Sequence, residues 1–298
     1  MSLHFEPIQL ERQSEYFEFL DACQEKASDY SFLNLWGWAD VYGLEWAWTP
    51  ELIWIRQSRP DEKYWAPVGD WQRADWVKTL GAHFSGAVSF GRVPEALLQT
   101  WQQTPGLDCN ARPSREHWDY LYSVTDLVQL KGNKYHKKKN LLNQFRKSYE
   151  SRYLPLNADN IHQTVRMQED WCTWRDCASQ AALDSENQVI ANVLNNWQKF
   201  HRLMGGAIMV ETEMAGYTVA EKLSEDMLVI HFEKGNHEFK GIYQAINQMF
   251  LENEGQGFDR VNREQDLGSE GLRKAKLSYN PLGFIEKFDV VCHGSAPL

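Results

Sequence analysis

No stretch of the 298-residue chain approaches the roughly 18 to 20 consecutive apolar residues that crossing a bilayer requires. The opening segment, MSLHFEPIQLER, has no apolar core behind a basic start, so no secretory signal is expected. Cysteine is scarce and odd in number: Cys23, Cys109, Cys172, Cys177 and Cys292. No pair has zinc-ribbon or redox spacing, and four residues separate Cys172 from Cys177. The pattern predicts reduced, packed thiols of a cytoplasmic protein and no metal site. Also missing are a Gly-x-Ser-x-Gly elbow, a phosphate loop, a zinc signature and an EF-hand loop, which leaves serine hydrolase, NTPase and metalloenzyme readings without support. With 43% hydrophobic and 24% charged residues, and with 13 Trp, 14 Phe and 12 Tyr, the chain is neither disordered nor fibrous. It is long for one domain and comfortable for two.

What is present is unevenly distributed. The net charge is −10 and the pI about 5.4, so the surface as a whole repels nucleic acid and anionic membrane. Residues 1–130 hold ten Lys or Arg against nineteen Asp or Glu, whereas the remainder is nearly balanced. At the junction lies KGNKYHKKKNLLNQFRK (131–147), with seven basic residues and no acidic one. Ten of the tryptophans fall at or before Trp118. These shifts place a boundary near 130, dividing a domain over 1–130 from a domain over 131–298 that a basic helix (131–149) introduces.

The first half mixes short helices and strands. LIWIRQ (52–57) and GAVSFGRV (86–93) read as strands, with a helix over 70–84 between them. PEALLQTWQQ reads as a helix with Pro94 at its first position. The tryptophans are expected to fill a core. In the basic run, Tyr135, Leu142, Phe145 and Tyr149 fall on one helical stripe, while Lys134, Lys137, Lys138 and Lys139 occupy the others without acidic partners one turn away. Such a run is either a solvated helix face or a site for phosphate or nucleic acid.

From residue 159 the chain reads helix, helix, three strands, helix, strand, helix, strand. The helices are expected over 160–180, after a cap at Asp184 and up to Gly205–Gly206, over 240–254, and over 270–279. The strands are GAIMVET (206–212), GYTVAEKL (216–223), MLVIHFEKG (227–235), FDRVNRE (258–264) and GFIEKFDVV (283–291). The tract VNREQDLGSEGLRKAK crowds Arg263, Glu264, Asp266, Arg273 and Lys276 around a turn from Gly268 to Gly271. Opposite charges at that density between a buried strand and a helix either face a cleft or form an ion-pair network pinning strand to helix. His231 and His237 flank the end of one strand, and the bland expectation is one packed and one exposed imidazole.

This order of elements resembles the GNAT acyltransferase fold. The resemblance implies that Lys240 and Gly241, at the start of a helix, seat a donor's pyrophosphate on free backbone amides. It implies that Tyr279, within Ala275-x-x-x-Tyr279-x-x-x-Gly283-Phe284, protonates a departing group, and that Glu233 is a general base. A narrower resemblance runs along almost the whole chain. SDYSFLNLWGWADVYGLEWAW (28–48), LKGNKYHKKKNLLNQF (130–145), FEKGNHEFKGIYQAINQMF (232–250) and VNREQDLGSEGLRKAKLSYNP (261–281) are similar to the family named for the C-terminal domain of phosphatidylglycerol lysyltransferase.

That family resemblance implies an α+β protein of two tandem GNAT-like domains, the first degenerate, akin to the Fem peptidyltransferases that use aminoacyl-tRNA. It implies aminoacyl transfer from tRNA, approached through Lys134, Lys137, Lys138 and Lys139, to an amine or hydroxyl acceptor, a small molecule or a lipid headgroup. The chain lacks the lysyltransferase's membrane-embedded half, so membrane contact is expected to be peripheral. On this reading Glu233 or Asp266 is the base or the anchor of a cationic amino group. Arg263 and Arg273 grip a carboxylate or phosphate bidentately, a geometry that suits Arg better than Lys. Lys276 joins them in substrate binding. No cofactor beyond the donor, aminoacyl-tRNA or acyl-CoA, is expected. The competing readings are an acyl-CoA-dependent N-acyltransferase and a non-catalytic module binding tRNA or a metabolite.

Overall fold

The computed structural model describes residues 2–293. Its strands in chain order are β1 (Glu6–Pro7), β2 (Leu44–Trp48), β3 (Leu52–Gln57), β4 (Lys63–Trp65), β5 (Val68–Gly69), β6 (Ala87–Pro94), β7 (Asp108–Pro113), β8 (Asp119–Ser123), β9 (Ser151–Pro155), β10 (Leu203–Val210), β11 (Glu213–Lys222), β12 (Met227–Gly235), β13 (Arg260–Asn262), β14 (Gly283–Ile285) and β15 (Lys287–His293). The α-helices are α1 (Gln13–Ala22), α2 (Phe32–Gly37), α3 (Ala39–Tyr42), α4 (Trp76–His83), α5 (Glu95–Gln103), α6 (Val124–Gln129), α7 (His136–Ser148), α8 (Ile161–Trp174), α9 (Ala181–Asn195), α10 (Ile242–Glu254) and α11 (Glu270–Leu277).

The chain forms two compact units. Among the described residues, one is built from 2–119 together with Gln265–Ser269 and 284–293; the other comprises Tyr120–Glu264 and Glu270–Gly283. The division falls eleven residues before the position that composition suggests, and two later segments return to the first unit. The segment read as one strand over 283–291 is two, and β15 joins the first unit's sheet between β6 and β7.

The first unit's sheet runs β1-β2-β3-β4-β6-β15-β7, with β5 also paired to β3. Trp46, Trp54, Trp65, Trp71, Trp76 and Trp101 are fully buried in this unit, so the tryptophan-rich half uses its indoles as core. A buried ion cluster explains why β15 belongs here. Lys287, wholly inaccessible, donates to Asp119 at 2.7 Å and to Asp29; Arg92 also donates to Asp29. Gln265 adds a 3.0 Å hydrogen bond to Asp29, and the Ser28 amide and hydroxyl both donate to Asp119 at 2.7 Å. Burial opposes the Asp29 charge, but Lys287 and Arg92 hold its carboxyl well below the usual range. Five separate stretches of chain thus share one neutralised cluster, and a buried charge is tolerated only when paired in this way.

The cysteines correct the expectation of free thiols. Cys109 and Cys292 face each other across β7 and β15 and are disulfide-bonded, and Cys172 pairs with Cys177 just past the end of α8. Only Cys23, which is buried, is a free thiol among the described residues. The first pair lies 183 residues apart in sequence, so spacing gave no hint of it.

The second unit's strands β8-β13-β12-β11-β10-β9 form a mixed sheet, antiparallel except for the β12–β13 pair. β11 and β12 are buried along nearly their whole length, which requires cover on both faces. α10 packs on β10, β11 and β12, and α8 on β11 and β12. Gly205 and Gly206 lie inside β10 rather than ending a helix, which stops instead at Asn195. At Gly206 a Cβ would sit 2.1 Å from the Tyr153 hydroxyl, so close packing is what this glycine serves. Asp184 lies in the first turn of α9 and does not cap it.

Candidate active site

The site grows from the way β12 and β13 part. Their parallel pairing covers Met227–Val229 against Arg260–Asn262. Beyond it the main chain of 263–264 pairs with Tyr120 instead, Arg263 N donating to Tyr120 O at 2.9 Å and Tyr120 N to Glu264 O at 3.2 Å. On the other side, the β11–β12 register slips between Ile230 and Phe232, leaving His231 as the extra residue of a bulge. Past the last parallel rung, side chains alone bridge the gap. This lies at the carboxyl ends of parallel strands, where open mixed sheets place ligands.

Two bridges cross it. Arg263 Nη2 donates to Glu233 Oε1 at 3.0 Å, with both side chains largely buried. His231 Nδ1 stands 2.8 Å from Glu264 Oε1, and Glu221 Oε2 stands 3.5 Å from His231 Nε2. Burial alone would discharge this imidazole, but the two carboxylates raise its pKa to about 9, so it is an imidazolium at neutral pH. The packed histidine expected at this position is therefore a charged one.

Around the first bridge the sequence supplies a ring of polar and aromatic groups. Asn247, on α10, donates to Glu233 Oε2 at 3.0 Å, and Gln244, one turn earlier, donates to the Tyr279 hydroxyl at 3.3 Å. Two cations approach the Tyr279 ring, the Arg263 guanidinium carbon at 4.7 Å and Lys138 Nζ at 4.0 Å from its centre. Burial raises the Tyr279 pKa, so its hydroxyl keeps its proton at neutral pH. Burial, followed by Arg263, lowers that of Lys138. Burial works against the Arg263 charge, but Glu233, Tyr279 and Tyr122 around it raise its pKa. Arg263 Nη1 is buried and has no hydrogen-bond partner. A buried guanidinium nitrogen without an acceptor leaves a desolvated donor unanswered, which marks a place for a ligand oxygen.

Lys276 supports the ring from behind. Its ammonium donates to the Arg263 carbonyl and, at 3.3 Å, to that of Glu264, while Tyr122 donates to the Lys276 carbonyl at 2.8 Å. Lys276 thus fixes the backbone that carries Arg263. Arg273 lies on α11, half-buried. Asp266 belongs to the first unit, where it is fully buried; its Oδ2 accepts from Arg115 at 3.1 Å and its Oδ1 from the Gly268 amide at 2.9 Å. That arrangement shapes the 266–269 turn and fits the ion-pair reading of the tract for this residue.

Most of the basic run forms α7, with Leu142 and Phe145 buried as the stripe predicts, and Tyr135 is buried in the turn over Asn133–Tyr135 just before it. Its lysines diverge. Lys134 is paired with Asp126 at 3.0 Å, Lys138 turns toward Tyr279, and Lys137 and Lys139 are exposed. The helix start expected to seat a pyrophosphate is partly covered by α7. The Lys240 amide donates to the Tyr149 hydroxyl at 3.3 Å, and a Cβ placed on Gly241 (φ +91°) would lie 2.4 Å from the Leu141 carbonyl oxygen. The Lys240 side chain is exposed.

Asn247, Gln244 and Tyr122 were not singled out by sequence reasoning. The signal was available for two of them, because Gln244, Asn247 and Gln248 interrupt the apolar stripe of α10 at helical spacing, and Asn247 and Gln248 are buried. Among the described residues, no group of three His, Cys, Asp or Glu could hold a metal ion.

The likeness to the crystal structure of FemX, with a TM-score of 0.56 at 7% identity over 96% of this chain and 97% of that one, shows that the two share a fold. Residues 21–291 match the family described as phosphatidylglycerol lysyltransferase, C-terminal, and the chain belongs to that family. A conserved protein of unknown function from Bacteroides thetaiotaomicron is similar throughout, with 26% identity, 98% of this chain and 99% of that chain covered, and a TM-score of 0.86. The C-terminal domain of a putative lysylphosphatidylglycerol synthetase from Agrobacterium fabrum shares the fold at 11% identity, covering 96% of this chain and 91% of that one, with a TM-score of 0.64. An uncharacterised protein of Mycoplasmoides gallisepticum is 26% identical over 177 residues, 58% of this chain and 56% of its own length, so the chain spans about half of that relative. No helix among the described residues is long and apolar enough to cross a membrane.

Proposed function

We propose that the second unit transfers an aminoacyl group from aminoacyl-tRNA to an amine or hydroxyl acceptor. The observation that carries this reading is the unpartnered, buried Nη1 of Arg263 beside Glu233 and Tyr279. Transfer from an ester needs a donor aimed at the developing oxyanion, a base for the nucleophile and a proton for the leaving oxygen. Arg263 Nη1 is the oxyanion donor. Glu233, whose two oxygens each accept one hydrogen bond and keep further lone pairs, receives the proton of the attacking N–H or O–H. Tyr279 gives its hydroxyl proton to the departing ribose oxygen. The acyl–oxygen bond of the donor breaks, the acyl–nitrogen or acyl–oxygen bond of the product forms, and one proton moves from acceptor to leaving group.

Two features favour tRNA over acyl-CoA as donor. Lys137 and Lys139 present exposed charge on α7, and the start of α10, where a CoA pyrophosphate would be expected, is approached by the Leu141 carbonyl, whose partial negative charge repels phosphate. The non-catalytic reading is weakened by the assembly of a carboxylate, a guanidinium and a protonated phenol within hydrogen-bonding and ring-contact distance. The test is single-turnover transfer from a panel of radiolabelled aminoacyl-tRNAs to amine and lipid-headgroup acceptors, wild type beside Tyr279→Phe. The expected result is transfer that the variant slows by about 10² to 10⁴-fold while keeping its melting temperature, the range for losing a positioned proton donor. Equal rates in both proteins would remove Tyr279 from the chemistry, and no transfer from any aminoacyl-tRNA would sink the donor assignment.

A further inference from the structure

The first unit's sheet has one face turned to its core and one open to solvent. α5 packs on β6, β7 and β15, and Val88, Phe90, Val290 and Cys292 are buried. On the open face of the same strands Ser89, Asn110, Arg112 and Asp289 are exposed. A groove of about 640 Å³ crosses that face, lined by these four side chains and by Lys63 on β4. Its size suits a small molecule.

A bulge makes the floor of the groove. Between the pairs Phe288–Val93 and Val290–Phe90, β6 sets two residues, Gly91 and Arg92, against Asp289 alone. Arg92 takes a positive φ of 57° and joins the buried cluster around Asp29. Gly91 stays under the groove, where a Cβ would lie 3.3 Å from both Asp289 Oδ1 and Lys63 Cε. Its φ lies outside the left-handed region, so the backbone does not demand glycine here. What the missing side chain provides is room.

The charges above this floor are idle. Arg112 and Asp289 are cross-strand partners in register, an arrangement in which opposite charges ordinarily meet. Yet among the described residues neither of them, nor Lys63, has an ion-pair or side-chain hydrogen-bond partner. The Asp289 carboxylate reaches over Gly91 on β6 instead of toward Arg112. In strand order, the groove therefore presents a cation on β4, a carboxylate on β15 and a cation on β7.

That order selects the ligand. A simple anion meets Asp289, and a simple cation meets Lys63 and Arg112. A molecule with two carboxylates and one ammonium satisfies all three groups and neutralises their surplus positive charge. The outer strands lie three spacings, about 14 Å, apart, and the long Lys and Arg side chains reach inward to shorten that span. We propose that this face binds a free dicarboxylic amino acid. Arg112 grips one carboxylate with its fork, Asp289 takes the ammonium, and Lys63 meets the second carboxylate as a point charge. The site lies wholly within the first unit, so it does not depend on the reaction assigned to the second.

The test is isothermal titration of the full chain with L-glutamate and L-aspartate, up to about 10 mM, where a millimolar Kd is readily measured. Each has two controls: glutarate and succinate lack the ammonium, and L-glutamine and L-asparagine lack the second carboxylate. Wild type is expected to bind at least one of the two acidic amino acids, and its controls about tenfold or more weakly, as for a lost charge-assisted hydrogen bond. Asp289→Asn changes an exposed side chain, so folding is preserved. It should weaken binding of the amino acid and abolish the preference over glutarate or succinate. Arg112→Gln should weaken binding of the amino acid by about tenfold. Three results would overturn the proposal: no binding of either amino acid by wild type, controls bound as tightly as the amino acid, or an Asp289→Asn protein that keeps the wild-type preference.

Discussion

Each unit of this protein buries a cluster of carboxylates, cations and aromatic rings, and the two clusters put the same chemistry to different ends. In the first, Asp29 and Asp119 meet Lys287 and Arg92, two charges of each sign with no accessible surface at Lys287. In the second, Glu233 meets Arg263 with Lys138 alongside, leaving one positive charge in excess. Both guanidiniums keep one nitrogen without a partner, but not the same one. Arg92 lacks a partner at Nε, on the stem, with its guanidinium 4.5 Å from the Trp65 ring. Arg263 lacks one at Nη1, on the tip. A balanced cluster whose cations each meet a carboxylate stitches chain segments together; a cluster with surplus charge and a buried, idle terminal donor waits for an anionic or carbonyl oxygen.

The largest effect should come from breaking the balanced cluster. Lys287→Met leaves Asp29 and Asp119 in the interior against Arg92 alone, and breaking a buried pair on one side typically costs about 3 to 5 kcal/mol. The expected outcome is a large fall in the urea midpoint, with Asp119→Asn added to Lys287→Met recovering part of it. A Lys287→Met protein as stable as wild type would show that the cluster does not hold β15 in place. The same kind of change in the second unit should behave oppositely. Arg263→Lys keeps the charge paired with Glu233 but removes the forked donor, so stability should fall little while transfer slows by about 10² to 10³-fold, as for a lost oxyanion donor. If Arg263→Lys instead unfolds the protein and keeps its specific rate, the contrast between the clusters is wrong.

The contrast also marks what the sequence could and could not disclose. The elements of the second unit were legible because their periods are strong: β12 and α10 appear within two residues of where patterning puts them. The pair Glu233 and Tyr279 was legible only through resemblance. What stayed hidden is long-range. Nothing local to Lys287 announces that it meets Asp29 across 258 residues, or that this pulls β15 into the first unit's sheet. Asp266 and Arg263 are three residues apart in a tract of alternating charge, yet the turn at Leu267 and Gly268, both with positive φ, belongs to the first unit and Arg263 to the second. Charge density found the region; it could not divide it.

A third cluster tests the rule in between, since His231 lies between Glu221 and Glu264 in the second unit. Its pKa in the folded protein is raised from 6.5 to about 9, so the folded state holds a proton that the unfolded chain releases above about pH 6.5. The contribution to stability is therefore complete below about pH 6.5 and is lost as pH rises through 9. Urea midpoints across that window should decline in wild type and decline less in His231→Gln. Because Glu264 follows Arg263 directly, transfer in wild type should weaken over the same pH range. A wild-type midpoint that is flat up to pH 9 would mean that the imidazole is neutral and the bridge an ordinary hydrogen bond.

The smallest effect separates the lysines of α7 and of the turn before it, which the sequence presents as one run. If exposed charge alone meets tRNA phosphates, Lys137→Glu and Lys139→Glu should each flatten the log–log salt dependence of aminoacyl-tRNA binding by somewhat under one, the increment for one phosphate contact. Lys134→Ala should change the slope less, because Asp126 already neutralises that ammonium. Lys138→Met should leave the slope nearly unchanged and lower the transfer rate, because its ammonium sits over Tyr279 rather than in solvent. Equal slopes for all four variants would return the run to a solvated helix face. Equal losses of slope would mean that Lys138 and Lys134 leave their partners when tRNA arrives, and that the division between idle and engaged charge drawn for the two clusters does not extend to this helix.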